Sequence, residues 1–144
     1  MTMEQRVSLI TLGVEDLGKS AAFYQALGWN REKTDDAGII VFNLLSQVLG
    51  LYPKAELAKD MGLDPAVLGG PSAMSIGYNV REKDEVDAIY AAAIKAGGKG
   101  LTAPHEVFWG GYSCYIADLD GHVWEIAFNP FSPPREDGTF QWGG

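Results

Sequence analysis

The sequence predicts an α+β protein of two βαβββ modules whose strands join in one eight-stranded, strongly curved sheet with helices outside. Two observations carry this. A strand–helix segment recurs after 66 residues, so that Val14 maps onto Val80 and Tyr24 onto Tyr90. Each copy is then followed by further strand-like runs, with a Pro- and Gly-rich stretch between the copies.

The first copy opens with a strand over 7–14. Asp16 is placed to cap a helix in which Leu17, Ala21 and Tyr24 fall at helical spacing, and Gly28 is placed to end it. The second copy has a strand over 73–80 and a helix whose Val86, Ile89, Tyr90 and Ala93 form the i, i+3, i+4, i+7 stripe, stopped by Gly97-Gly98. Strands are expected near 29–33, 38–44 and 47–52 after the first helix. After the second they are expected near 99–102, 112–117 and 122–128, the last two joined by an Asp-Gly turn at 120–121. The whole chain, 1–144, reads as a single domain: module one about 5–55, a connector about 56–72, module two about 73–130 and a tail 131–144. Within "PKAELAKDMG" a helical turn or two is expected. The tail lacks periodicity, and Trp142 is placed to clip it to the domain or to a second subunit.

Bulk properties exclude several function classes. The 144 residues suffice for one domain with a full core. Net charge is −8, from 19 acidic and 11 basic residues, which argues against nucleic acid and against an anionic membrane as partners. No apolar run approaches the roughly 20 residues of a spanning helix. "MTMEQRVSLITL" lacks a signal-peptide pattern. Cys114 is the sole cysteine, so no disulfide forms within the chain; flanked by strand residues, it is expected to be buried and inert. A cytoplasmic protein is expected.

Two motifs go further. "ITLGVEDLGKSAAFYQALGW" sets V-x-D-L before a helix with F-Y-x-x-L-G, and "ADLDGHVWEIAFNP" holds an Asp-Gly turn four residues before Glu125. They resemble the two signatures of the vicinal oxygen chelate superfamily, which includes glyoxalase I, extradiol dioxygenases and the fosfomycin- and bleomycin-resistance proteins. Leu119 stands where the second signature usually has proline. The resemblance covers about 7–130. It implies the glyoxalase/bleomycin resistance/dioxygenase fold but not one reaction, because the fold hosts many chemistries. It also implies a small-molecule ligand and a homodimer.

In metal-using members of that superfamily, two strand positions per module supply the ligands. Here the resemblance implies that the corresponding positions are Leu9, a residue at or near Gly50 within "QVLGLY", Ser75 and Glu125. Metal sites of this type want at least three protein ligands, so neither a metal nor another cofactor is expected.

Glu125 is then the residue to explain. Alternation sets Val123, Glu125 and Ala127 on one side of the strand, lining the concave face of the sheet, and Trp124, Ile126 and Phe128 on the other. Three roles are open for it: general base, acceptor for a ligand hydroxyl, amine or cation, or a structural acceptor satisfied by a neighbour. A pocket wall is expected from "HEVFWGGYSCY", with Phe108, Trp109, Tyr112 and Tyr115 as ligand contacts; Asn79 and Ser75 are further candidates. His105, expected in a loop, and His122, in the turn, are the only histidines, and both are expected at the surface. Asn43 either reaches the concave face or bonds backbone at a strand end.

Three functions compete. One is a metal-free lyase or isomerase using Glu125 as base, which needs an enclosed pocket. Another is a protein that sequesters its ligand, as the bleomycin-resistance members do. The third is a metal enzyme that joins Glu125 to His105 or Glu106.

Overall fold

The computed structural model describes residues 2–34 and 38–143. Strand β1 spans Leu9–Val14 and helix α1 Leu17–Ala26. The Asp16 carboxylate accepts the Lys19 N–H at 2.9 Å, the cap its position promised. Strands β2 (Ile40–Asn43) and β3 (Val48–Pro53) follow. The connector folds into helix α2, Lys54–Met61, closed by Gly62 in the left-handed region, and a short 3₁₀ turn at Pro65–Val67. Module two comprises β4 (Ile76–Val80), α3 (Asp84–Lys95), β5 (Lys99–Glu106), β6 (Tyr112–Ala117) and β7 (Val123–Phe128).

The two-module α+β plan is the one expected, with a difference in how the strands join. Among the described residues seven strands form two sheets, ordered β1-β3-β2 and β4-β7-β6-β5. In each, the first strand pairs parallel with the last. No strand forms at 29–33. Trp29 stacks on Tyr24 with ring centroids 5.6 Å apart, and a single ladder-like bond, Glu32 N–H to the Val41 carbonyl at 2.8 Å, remains of the expected edge. β5 runs past its expected end at 102, and its register shifts after Gly100 and Thr102 bend it.

The placement of Tyr24 decides how the sheets face each other. Its ring lies 6.1 Å from that of Phe42 on β2 and 5.9 Å from that of Trp124 on β7. Trp29 likewise touches both. In one continuous sheet ordered outward from β1 and β4, the strands β2 and β7 would stand about four spacings of ~4.8 Å apart. One ring cannot span that. The sheets therefore turn their helix-covered faces toward each other. Leu12, Leu49, Leu51, Phe42, Ile116 and Ile126 join one core between them, and the opposite faces point outward.

Hydrogen bonds lock this junction. The buried Tyr24 hydroxyl donates to Asp118 at 2.5 Å and accepts the Trp124 indole N–H at 3.1 Å. The other Asp118 oxygen accepts the N–H groups of Asp120 and His122, which holds the turn leading into β7. Burial, then the Asp118 charge, pushes the Tyr24 hydroxyl well above the usual tyrosine range, so it stays a donor.

The tail is tied by Arg81, whose guanidinium donates to the Glu136 carbonyl at 3.1 Å, and by the buried Ser132, whose hydroxyl accepts the Gly143 N–H at 3.2 Å. Trp142 is 86% exposed and does not clip the tail to this chain.

Candidate functional site

On module two's outward face, pairing sets Gly77, Glu125 and Tyr115 side by side on three adjacent strands. The Tyr115 hydroxyl donates to Glu125 Oε2 at 3.2 Å. Burial first, then the Glu125 charge, raises the Tyr115 pKa, so the proton remains on the phenol. Gly77 presents no side chain, and a Cβ there would meet nothing within 4 Å. The carboxylate is thus half-buried, held by one donor, with open space beside it. Asn79, half-buried, sits opposite Ala127 on the same face. Ser75, exposed, precedes β4 by one residue and falls on this face by alternation.

The rest of the expected aromatic wall is elsewhere. Tyr112 points to the opposite, helix-covered face, where its hydroxyl donates to Asp87 at 2.6 Å and the Lys83 ammonium stands 4.8 Å from its ring centroid. The Asp87 hydrogen bond is the main cause pushing the Tyr112 hydroxyl up to about 12. Phe108 and Trp109 lie in the β5–β6 connection, with Phe108 fully exposed and Trp109 folded over Gly111. The reason is strand geometry. Neighbouring residues point to opposite faces, and a loop carries its aromatics beyond the sheet. Of that cluster, Tyr115 alone reaches Glu125.

The histidines divide likewise. His105 is exposed, on β5 rather than in a loop, and its Nδ1 lies 3.0 Å from the Ala103 carbonyl. His122 is partly buried instead of exposed, because its Nε2 lies 2.8 Å from the Gly13 carbonyl and ties the β6–β7 turn to β1. Glu106 pairs with Lys83. Among the described residues no three His, Cys, Asp or Glu side chains gather as a metal site. Cys114 is buried, as expected, and burial pushes its thiol up to about 11. Asn43 ends β2 and is exposed.

Module one's outward face is of another kind. Leu9, Thr11, Val48, Gly50 and Val41 alternate onto it, and none carries a charge. The space beside Gly50 is bordered by the Leu9 and Ile39 methyl groups, 3.5 and 3.6 Å from where its Cβ would stand. Helix α2 covers the far end, where Gly13 faces Leu57.

The four positions at which metal-using relatives place ligands are therefore Leu9 and Gly50 on one outward face and Ser75 and Glu125 on the other. One carboxylate and one hydroxyl do not fit a divalent metal, and within one chain the two pairs do not converge.

Two hollows of about 190 and 220 Å³ are present. One sits between α1, α3 and the helix-covered face of module two; the other lies between β1, α2, the connector and the starts of β4 and β7, where Thr11 and Gly13 meet Ile76, His122 and Val123. Glu125 lines neither.

Sequence reasoning missed the Tyr24–Asp118–Trp124 junction. Its signal was present, since Tyr24 belongs to F-Y-x-x-L-G and Asp118 to the D-L-D-G turn.

Known proteins agree with this architecture. A glyoxalase-related enzyme from Fulvimarina pelagi is 36% identical, covers 97% of this chain and 99% of its own, and superposes with a TM-score of 0.89. A hypothetical protein from S. aureus is 26% identical, over 89% and 96% of the two chains, at 0.77. A lactoylglutathione lyase from Agrobacterium tumefaciens, 22% identical over 88% and 96% at 0.66, shares the fold. No curated protein matches the chain. Residues 6–126 match a single family across both modules, and the chain belongs to the Glyoxalase/Bleomycin resistance protein/Dioxygenase superfamily.

Proposed function

We propose that this protein binds a small organic molecule, without a metal, against the outward face of module two, with Glu125 as its polar anchor. The observation that carries the reading is the half-buried Glu125 carboxylate, steadied by Tyr115 and open toward Gly77. Ser75 and Asn79 are the further polar contacts on that face.

We propose further that the working unit is a cytoplasmic homodimer. Each chain offers two half-cups that face away from each other, and each sheet ends in a strand, β1 or β4, with one edge unpaired in its sheet. Open strand edges invite pairing with another chain. Joining module one of one chain to module two of a second would turn each pair of half-cups into a whole one. The openness of the Glu125 face in a single chain favours sequestration of the bleomycin-resistance type. In a lyase-type reaction the same carboxylate would act as general base, taking a proton from the bound molecule.

Sedimentation of the native protein tests the dimer. Elemental analysis and thermal-shift screening of the native chain and Glu125→Gln test the anchor. The reading expects a dimer, no stoichiometric metal, and ligand-induced shifts lost in Glu125→Gln. A monomer, stoichiometric metal, or shifts unaffected by the substitution would each sink the corresponding part.

A further inference from the structure

The two outward faces differ in a way that narrows the ligand, and this inference rests on the shared cup proposed above. Glu125 takes part in none of the ion pairs among the described residues, which join Arg6 to Glu4, Lys54 to Glu15 and Lys83 to Glu106. Its neighbours Gly77, Asn79, Ala127 and Tyr115 carry no positive charge. Tyr115 supplies one hydrogen bond to a carboxylate with room for about four. When the cup closes, the surface laid over Glu125 is the uncharged plate around Leu9 and Gly50. An ionised carboxylate covered by an apolar surface is costly unless a charged donor pairs with it. The cationic side chains of module two's face, Lys99 and His105 on β5, stand opposite Ala117 and Ser113, two strands from Glu125, and neither pairs with its carboxylate, so the ligand supplies the donor.

We propose that the ligand is an amphipathic organic cation: an ammonium group seated on Glu125, beside Gly77, with a compact apolar body against the Leu9–Gly50 plate. Gly77 leaves the space for the head group, and the Leu9 and Ile39 methyl groups around Gly50 give an apolar surface for the body. The chain's net charge of −8 draws such a molecule in.

The test is calorimetric titration of the native protein with phenethylammonium, 2-phenylethanol, 3-phenylpropionate and methylammonium, with sedimentation in parallel. Phenethylammonium should bind at least about tenfold more tightly than each of the others, a gap of about 1.4 kcal/mol. Its affinity should fall as salt rises. Glu125→Gln should erase the preference over the alcohol, and Tyr112→Phe, on the helix-covered face, should keep it, which guards against a general loss of fold. Equal binding of alcohol and amine, tighter binding of the acid, a preference that survives Glu125→Gln, or no binding of any probe would overturn the cation. A dimer without cation preference defeats this inference and leaves the shared cup standing. A monomer with a Glu125-dependent preference upholds the cation and defeats the shared cup.

Discussion

The outward faces of the two modules occupy equivalent places in a repeated fold and have opposite chemistry. Module one presents Leu9, Gly50 and Val48 and no charge; module two presents Glu125, Tyr115 and Asn79. The inward faces kept their resemblance. Val14 and Val80, 66 residues apart, are both buried, and Leu49 and Leu51 on β3 do the work of Trp124 and Ile126 on β7. Because alternate residues of a strand answer to different neighbours, packing constrains one face and leaves the other free for ligand chemistry.

That contrast can be broken or sharpened by experiment. The largest effect is expected from restoring the relatives' ligand pattern with Leu9→His, Gly50→Glu and Ser75→His together, beside Glu125. If the faces meet between chains, the triple variant should take up near-stoichiometric zinc and its dimer should become metal-dependent. Elemental analysis and sedimentation read this out, and zinc held by a monomer would refute the shared cup.

Next come two adjacent residues of β7. Trp124→Ala should cost about 3–5 kcal/mol by urea denaturation, whereas Glu125→Gln should stay within about 0.5 kcal/mol. Comparable losses would mean that both faces serve the core. Tyr24→Phe should cost roughly 2–4 kcal/mol, since it strips Asp118 of a donor and leaves the Trp124 indole N–H without its acceptor. A loss below about 1 kcal/mol would show that the junction does not hold the sheets together. The smallest effect is expected at Tyr115→Phe, about 1 kcal/mol or less by the same measurement. Its hydroxyl is half-exposed and water can replace it at Glu125.

Much of the architecture was legible in the residues. Asp16 as a cap, Glu125 opposed to Trp124 and the buried Cys114 all follow from local rules of capping and alternation. The site was legible in part. Alternation set Glu125 on the side of β7 opposite Trp124, expected to line the concave face, and the aromatic-rich stretch 105–115 read as one wall when only Tyr115 faces Glu125. His122 read as exposed because its carbonyl partner, Gly13, is more than a hundred residues away.

The sequence by itself determined the repeat, its helices and nearly all of its strands, and which side of each strand is apolar, because those depend on neighbours within a few residues. The superfamily resemblance of its two motifs implied the four ligand positions, of which one holds a carboxylate. The direction in which the modules face each other was decided only in the folded chain. Tyr24 must find Phe42, Trp124 and Asp118 at once, and contacts between residues up to a hundred positions apart are set by packing that no local pattern records. That packing opens the Glu125 face outward.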